Sequence, residues 1–234
     1  MYHNLFCSFA AIIMNSFYKI FSVVLIVFSI IAGLLNNVPA LPILNESIRN
    51  LYFHVPMWFA LIFQMSISLF YALKYLSNNN LENDVISNAA AQIGFFFSIP
   101  GILTGMLWAK VTWGTFWTFS DPKLNGVAMA ILVYTAYFIL RNAVTDEIKK
   151  AKLSAVYNIF AYVLMMVFIM ILPRLTDSLH PGNGGNPAFS KYDLNSNMRL
   201  VFYPAVIGWI LFSIWLLELK IRLSKLHSKI SQYE

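Results

Sequence analysis

The stretch SAVYNIFAYVLMMVFIMIL, residues 154–172, carries no charged side chain from end to end. A bilayer core of about 30 Å needs about 20 predominantly apolar residues to cross as a helix, so this stretch reads as a membrane span. Five more stretches qualify: 17–35, 55–76, 89–109, 126–140 and 200–219. The span at 126–140 is the shortest and is expected to begin near Leu124 and run to Arg141. The prediction is an all-α, polytopic membrane protein with six transmembrane helices, forming a single domain over 1–234.

Composition agrees. The chain has 234 residues, 59% hydrophobic and 11% charged, where soluble domains carry about 25% charge. The formal net charge of +6 therefore calls for a topological reading, with basic residues facing anionic lipid at the cytoplasmic surface, and not for a nucleic-acid one. Cys7 is the single cysteine, so no intramolecular disulfide and no CxxC pair can form. No lipidation box surrounds it, and it is expected to be a small apolar filler. Val38-Pro39-Ala40 could be a signal-peptide cleavage site. The apolar run before it exceeds the usual signal core of about 7–15 residues, so the first span is expected to be retained.

Six spans put both termini on one side. Of the 16 Lys and Arg, six lie on the side opposite the termini: Arg49, Lys110, Lys123, Arg174, Lys191 and Arg199. The rest lie on the side of the termini, densest at 141–152 and 220–229. That asymmetry predicts cytoplasmic termini. The cytoplasmic loops SNNNLEND (77–84) and NAVTDEIKKAK (142–152) are short and polar. The outer loops, about 36–54, 110–124 and 173–199, hold the unusual chemistry. The first repeats apolar residues at Leu44, Ile48, Leu51 and Tyr52, which predicts a short interfacial helix with Asn45 as its N-cap. The third is rich in Pro, Gly and Asn, hence irregular. Pro100 and Gly101, in SIPGILTG (98–105), are expected to kink the third span and aim the second outer loop.

That second loop contains WGTFWTFSDPKLNG (113–126). Trp113, Phe116, Trp117 and Phe119 crowd beside Asp121-Pro122-Lys123, which is hard to explain as an interfacial aromatic belt. Trp58, Trp108, Trp209 and Trp215 do fit a belt, or simple packing. His54, in YFHVPMW, sits at the outer end of the second span, with Pro56 expected in its first turn. His180, in SLHPGNGG, sits in the third outer loop. Taken singly, a histidine at a membrane boundary is a polar residue touching water or headgroups. Taken together, two imidazoles and an aromatic platform suit a flat apolar disc with a metal at its centre. Rings would stack on the disc, and neutral imidazole nitrogens would take the metal above and below. Arg49, Lys110, Lys123 and Arg174 are available for acidic edge groups. Haem has that chemistry. Zinc would want four N, S or O ligands. His3 and His227 lie near the termini, on the opposite side.

Three segments carry a likeness: IRNLYFHVPMW (48–58), WGTFWTFSDPKLNG (113–126) and LTDSLHPG (175–182). They resemble the His-Val-Pro segment, the tryptophan-rich WWD motif and the last-loop Leu-His of the cytochrome c assembly family, within it the haem exporter protein C branch. The resemblance implies a protein of the bacterial cytoplasmic (inner) membrane with a role in cytochrome c-type biogenesis. Such a protein holds haem b non-covalently and transiently at the extracytoplasmic face and delivers it to a periplasmic haem chaperone. It implies ABC-type transporter subunits and a small membrane partner as further associates. It implies His54 and His180 as axial ligands to the metal, and Trp113, Gly114, Trp117, Phe119 and Asp121 as the haem-supporting loop. Phe119 stands where the motif has its third tryptophan, and Ser120 is an additional residue before Asp121. Gly114 reads equally as a plain turn glycine or as a point of close backbone approach.

The leading expectation is a carrier with no covalent chemistry of its own and therefore not an enzyme. The absence of CxxCH means the chain cannot attach haem to itself. One alternative is a haem-attaching cytochrome c synthase component. Another is a small solute permease, which would want polar groups along the spans. Gln64, Ser66, Ser68, Gln92 and Ser98 look scattered, with no clear buried charge pair.

Overall fold

The computed structural model describes residues 2–39, 44–180 and 194–230. Residues 40–43 and 181–193, and the side chains of 2–15, fall outside that description; the expectations for Ala40, Lys191, His3 and Cys7 lie there.

Among the described residues the regular structure is helical, with no strand. α1 spans Tyr2–Leu35. A short 3-10 helix, Asn45–Asn50, runs directly into α2, Leu51–Asn78. α3 spans Leu81–Trp113, α4 Pro122–Ala143 and α5 Glu147–Met166. α5 continues through a π-helical turn, Val167–Ile171, into the single turn α6, Leu172–Leu175; α7 spans Ser196–Ile230. Among the described residues six segments are long and apolar enough to cross a membrane, as predicted.

Local chemistry explains the boundaries. Asn79 adopts the left-handed conformation (φ 54°) at the end of α2, and Asn80 Oδ1 accepts the Glu82 N–H at 2.9 Å to start α3. Gly114 closes α3 with φ 76°, a conformation that favours glycine. Asp121 caps α4, with Pro122 at the first helical position. Asp146 caps α5 through the Lys149 N–H at 2.7 Å.

Two expectations change. Asn45 is not a cap: it has φ 41° and is the first residue of the 3-10 helix, whose flanking Leu44 supplies no side-chain bond. Pro56 lies inside α2 and not in its first turn, because the helix starts at Leu51. α3 is helical through Pro100 and ends at Trp113, where the aromatic loop begins.

α2 and α3 pack as the central pair; α7 lies against both, α1 lies along α7, and α4 with α5 packs on the other side of α2. The core is made of small residues and rings: Ala60, Ala91, Ala130 and Ala161 surround Met57, Met65, Phe97, Tyr134 and Tyr137. Small residues let helices approach where lipid offers no hydrophobic drive to associate. Gly126 is the tightest such point, where an added Cβ would overlap the Phe168 carbonyl in the π turn. Outward faces are the reverse of a soluble protein. Leu107, Leu132, Ile139 and Phe160 are all well exposed, as expected of lipid-facing surface.

Of the polar residues that look scattered in sequence, Gln64 and Ser66 each bond one side chain on another helix, Ser213 and Tyr162, and Ser68 joins a buried cluster. Asn158 Nδ2 donates to Ser68 Oγ at 2.7 Å, Ser68 and Ser87 exchange hydroxyl-to-carbonyl bonds at 2.7 and 2.9 Å, and Tyr134 O–H reaches Asn158 Oδ1 at 3.4 Å. A charge pair also exists. Arg141 makes a bidentate bond to Asp84 at 2.8 and 2.6 Å, joining the first turn of α3 to the last turn of α4. Both side chains are about nine-tenths buried (11% and 10% exposed). Sequence order hid it, because the partners are far apart along the chain.

Candidate haem-ligand site

His54 sits in the first turns of α2 and faces α3. An indole N–H can only donate, and Trp58 Nε1–H, one helical turn on, donates to His54 Nε2 at 3.1 Å. Nε2 is therefore the bare nitrogen, and the proton is on Nδ1. That N–H reaches the Gly101 carbonyl at 2.9 Å, with Thr104 Oγ1 at 3.2 Å. Glycines on α3 make room for both rings. A Cβ on Gly105 would stand 2.8 Å from His54 Cε1, and one on Gly101 would stand 2.9 Å from Trp58 Cζ2. Gly101 forms part of a notch for the His54–Trp58 couple.

His180 is held from the other side. Its Nδ1 lies 3.1 Å from Asp121 Oδ1. Asp121 is fully buried, and its carboxylate is shared. Oδ1 also accepts the Lys123 and Leu124 N–H groups at 3.0 and 3.1 Å, and Oδ2 accepts the Ser178 O–H at 2.8 Å and the Leu179 N–H at 2.9 Å. Burial alone would push this carboxyl up; the bonds and charge from His180, with Ser178 and Leu124, outweigh it and hold the group well below the usual carboxylate range. One aspartate thus starts α4, pins the third outer loop and orients an imidazole. A histidine whose Nδ1 is held by a carboxylate presents Nε2 as a metal donor.

Rings surround His180. Trp113 meets it edge-on at 5.0 Å between centroids, and Trp108 lies at 5.8 Å and 32°. Trp108 and Trp113 pack on each other at 5.2 Å. Beyond them Trp117 and Phe119 stand edge to face at 6.4 Å. Phe119 is 84% exposed and Phe116 48%, so the loop presents open aromatic surface. Nothing lies within 4 Å of the Gly114 Cβ position, so its positive φ is what the turn requires there.

Both histidines border the outer half of α3, His54 through Gly101 and Thr104 and His180 through Trp108. Trp58 and Trp108, read as belt residues in the sequence, each touch one of these histidines. The signal for Trp58 was its i,i+4 spacing from His54; Trp108 left none, because its contact with His180 is long-range. Of the four cations, Arg49 is engaged elsewhere: it binds the Gly33 and Asn36 carbonyls and Glu46. Lys110 Nζ donates to the Gly114 carbonyl at 2.8 Å and lies over the Phe116 ring, beside the open aromatic face. Arg174 is exposed and donates to the Met170 carbonyl. Two imidazoles, exposed rings and nearby cations suit the iron, faces and acidic edge of a haem.

The family described as heme exporter protein C matches residues 2–234. A heme exporter protein C from Bradyrhizobium diazoefficiens is 31% identical over 49% of this chain and 43% of its own length. A ccmC-like mitochondrial protein of cytochrome c biosynthesis from Marchantia polymorpha is 33% identical over 38% of this chain and 39% of its own length. These first two alignments thus span less than half of either relative. A heme exporter protein C from Paracoccus denitrificans is 24% identical over 76% of this chain and 73% of its own length.

Proposed function

The chain belongs to the heme exporter protein C family, and from that premise we propose that it binds haem between His54 and His180 and hands it on for cytochrome c maturation. The observation that carries the reading is the Asp121–His180 contact at 3.1 Å. It leaves Nε2 as the donor nitrogen of an imidazole ringed by Trp108 and Trp113. His54 supplies the second nitrogen. The rings of Trp113, Trp117 and Phe119 support the macrocycle, and Lys110 and Arg174 serve its acidic edge. Haem supplies iron with two axial positions; the chain supplies only position, packing and releasable bonds.

In this reading the site faces outward from the bacterial cytoplasmic membrane and the termini face inward. The haem is type b, bound without thioether bonds, and the acceptor is a haem chaperone. The ABC-type subunits and the small membrane partner that the family resemblance implies would be its neighbours. The protein acts as a carrier and not as a catalyst. The buried polar cluster around Asn158 does not argue for a permease, since its groups bond to one another across helices and so pack α2, α3, α4 and α5 together.

The test is the absorption spectrum of the purified protein. Wild type is expected to show a Soret band; H54A and H180A each weaken it, and the double variant abolishes it. A double variant with full Soret absorbance would overturn the ligand assignment.

A further inference from the structure

The two histidines are not equivalent. Among the described residues nothing bonds His180 Nε2, whereas His54 has both ring nitrogens engaged. Nδ1–H donates to Gly101, and Nε2 accepts the Trp58 indole N–H at 3.1 Å. An iron atom approaching His54 would need the electron pair that the indole already holds.

We propose that Trp58 is a positioning residue that latches His54: in the empty site it occupies the ligand nitrogen, and it competes with iron for that nitrogen during loading and release. This rests on the reading of His54 as an axial ligand. The exchange is balanced. The Nε2···H–N contact opens, Nε2 donates its pair to iron, and no proton or electron leaves the imidazole, because Nδ1–H stays on the Gly101 carbonyl. The indole keeps its hydrogen throughout.

The surroundings dictate which ring moves. Gly105 sits against His54 so closely that a methyl group would clash at 2.8 Å, and Nδ1 is tied to the α3 backbone. His54 is thereby fixed in rotamer and tautomer. Trp58 rests on Gly101 about as closely, but its indole N–H has its bond to His54 as its polar tie, with no second tie to the α3 backbone such as His54 has. The indole is therefore the part that yields.

The consequence suits a carrier. In this scheme His180 takes iron first, and His54 engages only when the indole lets go. On release the indole recaptures Nε2 and opposes rebinding. A ligand held by one open and one contested bond can be passed on, whereas two open imidazoles would hold it more tightly.

The test uses W58F, which keeps an aromatic ring and removes the N–H. In the first arm the haem-free protein, wild type and variant, is treated with diethyl pyrocarbonate, which acylates a bare imidazole nitrogen. Peptide mass spectrometry reads His54 and His180 separately. His54 should be modified about fivefold faster in W58F, the scale of one lost hydrogen bond, with His180 unchanged. An equal His54 rate in the two proteins overturns the latch. In the second arm ferric haem is loaded and its loss to excess apomyoglobin is timed. W58F should lose haem several-fold more slowly. Loss that is unchanged or faster overturns the competition and marks Trp58 as packing alone. If wild type binds no haem through His54, the carrier reading fails, while the acylation rates still decide whether Trp58 caps the nitrogen.

Discussion

Asp121 holds His180 at 3.1 Å while its other bonds cap α4 and tie down Ser178 and Leu179. A loop so rich in aromatic surface needs an anchor that is not itself aromatic, and this buried carboxylate is that anchor. The rings can face outward because the backbone beneath them is fixed.

D121N separates the two duties. Asparagine is as good an N-cap as aspartate, so helix content should be unchanged by circular dichroism. The amide lacks the charge that orients His180 and offers one acceptor oxygen in place of two. Haem affinity should fall about 10–100-fold, the usual cost of losing a group that orients a metal-binding histidine, measured by ferric haem titration.

Two glycines should behave differently. G105A would drive a methyl group into His54; overpacking of that kind costs about 1–3 kcal/mol and should displace the imidazole, so stability and haem binding fall together. G114A meets no neighbour but must hold φ 76°, at about 1–2 kcal/mol. It should lower the melting temperature while changing haem affinity less. Thermal unfolding and haem titration in the same detergent compare them.

Stacking should be local to the site. W113A and W117A are each expected to weaken haem retention by about 2–10-fold, the scale of an aromatic pair. W215A should not, because Trp215 packs on Phe212 at 6.0 Å, within α7. Equal effects at 117 and 215 would reduce the loop to packing.

The Asp84–Arg141 pair predicts an unequal double-mutant cycle. R141M leaves a buried carboxylate unpaired and should destabilise by about 3–5 kcal/mol. Adding D84N should restore a good part of that loss, measured by denaturant unfolding in mixed micelles.

Topology is checked by labelling. In a C7S background, F119C should react with a membrane-impermeant maleimide added to intact cells, because Phe119 is 84% exposed. T145C, in the loop before α5, should react only after permeabilisation. The reverse pattern would place the aromatic loop inside.

The six spans were legible because apolar length is a local property of sequence. His54 and His180 were legible as candidates because few other polar groups of that chemistry lie on the outer loops. What escaped was relational. Arg49 looked available for an acidic edge until the ends of α1 and α2 were seen to meet. Ser68 looked isolated because its partners Ser87 and Asn158 lie on two other helices. Pro56 was misplaced because a 3-10 turn merges into α2 and moves the helix start back to Leu51. Trp58 could have been read from its spacing to His54, but a tryptophan near a membrane boundary matches the belt pattern equally well.

The central claim is that two imidazoles share one iron. The most direct measurement is the low-temperature electron paramagnetic resonance spectrum of the purified protein loaded with ferric haem. Two imidazole ligands predict a low-spin ferric signal in wild type and conversion to high spin in both H54A and H180A. A spectrum left unchanged by either substitution would contradict the account.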